Sequence, residues 1–209
     1  MKDIVIIGSG GFAKEVAFLI EEINQKQSEW NILGYIDSDK NTSNGPYSVY
    51  GNDEWLMNIT IPIYVVFGIG NPPLIEKLYS KFKTNKNIHF PNLIHPNVVA
   101  DWKNIPIGEG NVICASNTFT TDIVIGNANI INLDCTIGHD TIIGNFNVLN
   151  PSTNISGGVK IGNLNLIGTS ATVLQYLNIT NNITIGAGAL LTKDATEEGV
   201  YIGNPAKKR

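Results

Sequence analysis

The 209-residue chain is short of charge. Asp, Glu, Lys and Arg make up 15% of it, against roughly 25% in ordinary soluble domains. Its one arginine is Arg209, and its formal net charge is −4. Nucleic-acid grooves and anionic membrane surfaces are bound by clustered cations, so neither partner is expected. Two cysteines, Cys114 and Cys135, are too few for a disulfide framework and lack metal-ligand spacing. Long apolar runs are missing as well. Ile4–Ile7 falls far short of a signal-peptide core, and no segment approaches the ~20 apolar residues of a membrane span. The expectation is a soluble, cytoplasmic protein with no metal. What the chain has instead is 43% hydrophobic residues, with 31 Ile, 27 Asn and 21 Gly.

That excess is periodic. Stepping by six from Ile107 reaches Ile113, Phe119, Ile125, Ile131, Ile137, Ile143, Leu149, Ile155, Ile161, Ile167, Val173, Ile179, Ile185 and Leu191, every one a large apolar residue. Six is a multiple of the strand period of two and not of the helical 3.6, so an extended chain returns each anchor to one face. A short strand and a turn per hexad, with Gly or Asn taking backbone angles that other residues resist, coil the chain into a solenoid. Three hexads per turn make a triangular prism of about five coils. The fourth residue after each anchor, from Asn111 to Ala195, is a second inward slot and mostly compact. Only seven charged residues fall between 107 and 196, which points to a wall packed against other copies. A scaffold with no chemistry has the same pattern.

Residues 1–92 differ in texture. A buried strand over Asp3–Ile7 runs into the turn Gly8-Ser9-Gly10-Gly11-Phe12-Ala13. A helix follows, with Val16, Leu19, Ile20 and Ile23 at helical spacing. Strands over Ile32–Ile36 and Ile63–Phe67, and a helix starting at Pro72, complete a small parallel α/β sheet. Gly8-x-Gly10-x-x-Ala13 between strand and helix is a phosphate-binding turn, in which bare backbone and a helix N-terminus meet a diphosphate. Asp37, at the end of the second strand, suits a ribose or base. An ordinary tight turn explains the same residues. The unit is too short for a complete NAD fold, so a nucleotide-diphosphate group fits better. The boundary lies near residue 92, and Pro91–Pro106 forms a linker and an imperfect first coil.

Of the three histidines, only His139 lies well inside the solenoid. With Ile137 inward, His139 and Asp140 fall on an outer corner, where a carboxylate can orient the imidazole as a general base. A solvated corner pair is the competing reading. Cys135 reads as a small core residue, and Gly157-Gly158 as bare backbone able to bind a carbonyl oxygen or to turn a corner. The three terminal cations after Gly203-Asn204-Pro205-Ala206 suit a phosphate or a solvated tail.

Together, the hexads, Gly203-Asn204-Pro205-Ala206-Lys207 and Gly8-Ser9-Gly10-Gly11-Phe12-Ala13-Lys14 resemble the bacterial left-handed β-helix sugar acyltransferases. The likeness is to the branch with an N-terminal nucleotide-binding domain, which includes N-acetyltransferases of nucleotide-linked amino sugars and sialic acid O-acetyltransferases. The resemblance implies a small Rossmann-like domain over 1–92, a left-handed parallel β-helix over 93–209, and a homotrimer with acetyl-CoA between adjacent prisms. It implies His139 as the base, Asp140 as its orienting partner, Asn132 as a supporting residue and the Gly157 N–H as the oxyanion donor. Coenzyme contacts are implied at Gly157, Gly158, Ile167, Gly168, Ala187, Asn204, Pro205 and Lys207. A nucleotide-linked sugar is implied at Gly8, Ser9, Gly10, Gly11, Phe12, Asp37, Gly68, Gly70 and Asn71. Direct attack on the thioester without an acyl-enzyme is expected. Relatives often carry His where this chain has Phe12, and some carry a second His where this chain has Val148. The first expectation is N-acetylation of a nucleotide-activated amino sugar. The alternatives are O-acetylation of a sialic-acid-type hydroxyl, or a non-catalytic nucleotide-binding scaffold.

Overall fold

The structure is a computed structural model that describes residues 1–38 and 46–209. The first unit comprises β1 (Lys2–Ile7), α1 (Gly11–Lys26), β2 (Trp30–Ile36), β3 (Val49–Gly51), α2 (Asp53–Met57), β4 (Ile63–Phe67), α3 (Pro72–Phe82) and β5 (Ile88–His89). All five strands are parallel, in the order β3-β2-β1-β4-β5. Ile4–Ile7 are buried without the alternation of a one-sided strand, as a parallel sheet covered on both faces requires. The short β3, α2 and β5 were not expected from sequence. Their few residues carry too little periodicity to register. The strand order reverses between β1 and β4, so the turn after β1 lies beside the loop after β4. In such sheets this switch point is where ligands bind.

From Leu93 onward the chain winds into a left-handed parallel β-helix with three walls. Wall one begins at Leu93–Ile94 and passes through Val112–Ile113, Ile130–Ile131, Val148–Leu149 and Leu166–Ile167 to Ile183–Ile185. Wall two runs from Thr118–Phe119 to Leu190–Leu191, and wall three from Val124–Ile125 to Asn178–Ile179. Every anchor from Ile113 to Leu191 is buried, while Ile107 in the first coil is only partly covered. The second inward slots are buried too, except Leu177. Asn111, Asn129, Asn147 and Asn165 stack in one of these slots. Each Nδ2 donates to the Oδ1 one coil back at 3.0 Å and to a backbone carbonyl at 2.8–2.9 Å. The buried amides thus satisfy one another, and the abundance of Asn follows.

The expected role of glycine needs correction. The left-handed backbone slot is three residues after each anchor, and from Ser116 to Asn182 it is filled mostly by non-glycine residues, among them Ser, Asp, Phe, Leu and Tyr. The Gly that follows an anchor serves close approach instead. A Cβ on Gly126 would lie 2.5 Å from the Gly144 carbonyl oxygen of the next coil. The repeat also changes length at both ends. Leu93 pairs with Val112 and Val99 with Thr118, one residue more than in later coils, and the extra residue is absorbed near the 3₁₀ turn Trp102–Asn104. At the other end Ala195 pairs with Ile179 and Tyr201 with Ile185, two residues early. Ala195 therefore occupies an anchor position and not a second inward slot.

The α/β unit packs on wall one. Phe90 and Leu93 share a core with Val112, Ala128, Ile130 and Val148. Tyr79 of α3 meets Phe146 edge-on with ring centroids 5.4 Å apart, and both Tyr79 and Lys83 bind the Glu109 carboxylate.

Candidate active site

His139 and Asp140 lie where wall two turns into wall three. The left-handed backbone at Asp140, φ 60°, turns the chain outward there, and the exposed His139 donates from Nδ1 to Asp140 Oδ2 at 2.7 Å. With Nδ1–H engaged by the carboxylate, Nε2 carries the free lone pair. The ring lies over the next coil, where a Cβ on Gly157 would fall 2.6 Å from Nε2. Among the described residues the Gly157 N–H meets no acceptor, while the Gly158 N–H donates to the His139 carbonyl at 2.7 Å. A lone pair, a carboxylate that orients it and an unpaired N–H thus converge on one corner.

Cys135 is fully buried and Cys114 nearly so. Burial pushes their thiols up to about 11 and about 12, so neither supplies a thiolate nucleophile near neutrality. No group of three or more His, Cys, Asp or Glu among the described residues is placed to hold a metal. No described helix is long and apolar enough to cross a membrane.

The other sequence candidates divide among separate places. Asn132 sits on the corner between walls one and two, and no hydrogen bond links it to His139 among the described residues; its Oδ1 instead accepts from the Leu133 N–H at 2.8 Å. Gly168 and Ala187 stack on that same corner, and a Cβ on Gly168 would strike the Ala187 nitrogen. Ile167 is an inward anchor with no exposed surface. The C-terminal residues are not a loose tail. Lys207–Lys208 form a strand antiparallel to Gly199–Ile202, and the Ala206 N–H donates to Leu190 O at 2.7 Å. Asn204 and Pro205 are exposed on that turn.

At the switch point of the α/β sheet, a cavity of about 710 Å³ is lined by Gly8, Asp37, Ser38, Asn52, Glu54 and Ile69, among others. Gly8, at φ +92°, leaves no room for a Cβ beside Ile69. Buried Ser9 donates its hydroxyl to Asp37 at 2.7 Å. Gly10 caps α1 without a side-chain bond, no acidic residue occupies the first turn, and Gly10 and Gly11 are exposed. Gly68 packs on Ala13, closing the second loop onto the first. Phe12 is not in this cavity. It lines a crevice of about 160 Å³ against wall one with Glu15, Gly70, Ile130, Asn132, Val148 and Asn150. Phe12 and Val148 therefore face one space. Gly70 and Asn71 border a third cleft, of about 440 Å³, and Asn71 caps α3 by accepting from the Leu74 N–H at 3.0 Å.

Residues 3–82 match the PglD N-terminal domain family, and the whole chain superposes on solved acetyltransferases. The acetyltransferase domain of PglB from Neisseria gonorrhoeae is 27% identical, with full coverage of both chains and a TM-score of 0.89. PerB from Caulobacter crescentus, solved with CoA and GDP-perosamine, is 27% identical over 100% of this chain and 98% of its own, with a TM-score of 0.88. Over its whole length the chain is thus similar to hexapeptide-repeat sugar N-acetyltransferases that carry an N-terminal α/β domain. WeeI from Acinetobacter baumannii, at 26% identity, full coverage of both chains and a TM-score of 0.87, has the same two-part build. The Caulobacter enzyme has also been solved with one histidine changed to Asn or to Ala. No curated protein sequence is a significant match. In this chain the β-helix corner and the switch-point cavity are separate features. Sequence reasoning missed Asn52 and Glu54 in the cavity, and Tyr176, one coil below Gly158.

Proposed function

We propose that the protein transfers an acetyl group from acetyl-CoA to the amino group of a nucleotide-activated amino sugar, in bacterial surface glycan synthesis. The observation that carries this reading is the His139–Asp140 pair, 2.7 Å apart, stacked over the unpaired Gly157 N–H. Asp140 holds Nδ1–H, so Nε2 takes the proton from the amine as its nitrogen attacks the thioester carbon. The Gly157 N–H meets the charge that develops on the carbonyl oxygen. The C–S bond then breaks, and the leaving thiolate takes up the proton from His139. The attack is direct, because the two thiols are buried and lie away from the corner.

In this reading the nucleotide lies in the switch-point cavity. Its diphosphate meets the Gly8–Gly11 turn and the open N-terminus of α1, and Asp37 accepts from the ribose or base. A single chain cannot deliver that sugar to its own base. The cavity is on the wall-one side, whereas His139 is on the corner opposite wall one. We therefore place the reaction between copies in a homotrimer. Wall two, with outward Thr136, Asn154 and Thr172 and no outward charge, faces the partners. That sets the His139–Gly157 corner of one chain against the Asn132 corner and the Phe12 crevice of the next. The coenzyme runs between the two corners, past Gly157 and Gly158 on one and Gly168 and Ala187 on the other, with Asn204, Pro205 and Lys207 at its far end. All of this chemistry is that of a cytoplasmic enzyme using soluble donors.

The test is incubation with acetyl-CoA and a panel of nucleotide-linked amino sugars and free hydroxy sugars, followed by mass spectrometry. Acetyl appearing on an amino sugar, with matching release of free thiol, is the expected result. Transfer confined to hydroxyls would replace this reading with O-acetylation, and no transfer to any member would overturn it.

A further inference from the structure

The surface around Gly157 and Gly158 is a notch in an otherwise continuous corner. The stack of outward residues on this corner runs Thr121, His139, Gly157, Gln175, and beside it Asp122, Asp140, Gly158, Tyr176. Coils rise by about 4.8 Å each, and where the two glycines leave the corner without side chains for one coil, the rings from the coils on either side reach in. The ceiling of the notch is the His139 ring over Gly157. Its floor is the Tyr176 ring, which approaches Gly158 so closely that a Cβ there would strike it.

Tyr176 is an unusual residue to find there. It holds a left-handed backbone, φ 62°, which strains a bulky side chain, and its side chain is 70% exposed. Two other bulky residues in the same strained slot have evident packing reasons. Phe146 packs on Tyr79 of the α/β unit, and Leu164 borders the cleft beside Asn71. Among the described residues the Tyr176 ring meets no other aromatic ring and its hydroxyl makes no hydrogen bond; only its backbone N–H is engaged, donating to the Gly157 carbonyl at 3.0 Å. The ring lies against Gly158 and is otherwise exposed. Leu174, also exposed, widens the same ledge, and Leu177 below it is the one second-slot residue lifted partly out of the core.

We infer that Tyr176 is the floor of the acyl slot and limits the transferred group to acetyl. This inference rests on the acetyl-transfer reading above. With the carbonyl oxygen on the Gly157 N–H and the acceptor amine arriving from the Nε2 side, two substituents of the thioester carbon remain. The sulfur must leave toward open surface, where the rest of the coenzyme lies. The methyl group is then directed down over Gly158 onto the Tyr176 ring. One or two more methylenes would have to displace that ring. Tyr176 is a specificity-determining residue here and moves no proton.

The experiment compares kcat/KM for acetyl-, propionyl- and butyryl-CoA, at fixed acceptor, in the wild type, Tyr176→Ala and Tyr176→Phe. A steric wall against one methylene discriminates by about 10–200-fold. The butyryl-to-acetyl ratio should therefore rise at least about tenfold in Tyr176→Ala and stay at the wild-type value in Tyr176→Phe. An unchanged ratio in Tyr176→Ala, with only KM for all three donors raised, would show that the ring holds the coenzyme arm and overturn the inference. Wild-type protein that transfers acetyl normally while Tyr176→Ala keeps its ratio refutes the floor alone. Wild-type protein that transfers no acyl group refutes the underlying reading.

Discussion

Replacing Asn147 by Ala tests the claim that the buried amide ladder, as well as apolar stacking, holds the coils in register. Asn147 is fully buried. Its Nδ2 donates to Asn129 Oδ1 at 3.0 Å and to Gly162 O at 2.9 Å. Its Oδ1 accepts from the Asn165 N–H at 2.9 Å and from Asn165 Nδ2 at 3.0 Å. Alanine removes all four bonds and strands two backbone groups in the interior, the Gly162 carbonyl and the Asn165 N–H. A buried polar group left without a partner costs about 1–3 kcal/mol, so the expected loss is about 4 kcal/mol. The control is Asn163→Ala. Asn163 belongs to a second ladder on the outside of the prism, where Nδ2 donates to Asn181 Oδ1 at 3.2 Å. Water replaces those partners, so about 1 kcal/mol or less is expected. Urea unfolding followed by circular dichroism, at one fixed protein concentration, reads both. Equal losses in the two variants, or less than about 1 kcal/mol for Asn147→Ala, would refute the reasoning.

Three further outcomes follow from the structure. Gly157→Ala places a methyl carbon 2.6 Å from His139 Nε2; the ring must swing away from Asp140, and kcat should fall by about 10²-fold, with the unfolding midpoint little changed. In the folded protein burial pushes the thiols of Cys135 and Cys114 up to about 11 and about 12. Because the folded values lie above the unfolded ones, this stabilisation is complete below pH 9 and is lost as pH rises from there through 11 and 12. Stability should therefore drop on the alkaline side in the wild type and drop less in a Cys114→Ala/Cys135→Ala double variant. Native protein at pH 8 should react with a thiol reagent only as fast as it opens.

Much of the β-helix is readable from sequence because a period of six forces each anchor to one face, and one miscounted residue would have shown as a polar anchor. What escapes the sequence is where strain sits. Ser116, Asp134 and Tyr176 take left-handed backbone that composition assigns to Gly, because the corner imposes it whatever the side chain. The slip before Ile107 is legible, because Ile94 and Ala100 keep the six-step phase and one extra residue then shifts it to Ile107; the two-residue shortening after Leu191 escapes, since no later anchors follow to reveal it. In the α/β unit, β1, α1, β4 and α3 are legible from burial and spacing. The edge strand β3 is too short to carry either. The pair His139–Asp140 is legible because the two residues are adjacent. The placement of Asn132 on another corner, and of Phe12 with Val148 in one crevice, depends on which wall the α/β unit covers. That docking is set by Phe90, Tyr79 and Phe146 acting across the fold, and no local pattern encodes it.

The central claim is that His139 removes the acceptor proton. Its most direct measurement is the steady-state kcat of His139→Ala with acetyl-CoA and an accepted amino sugar, alongside sedimentation of the same sample. General-base catalysis contributes about 10²–10⁴-fold, and His139 is an exposed corner residue whose loss opens no cavity. The account predicts a fall of about 10³-fold in kcat with assembly and unfolding midpoint unchanged. A His139→Ala enzyme that turns over at the wild-type rate would contradict it.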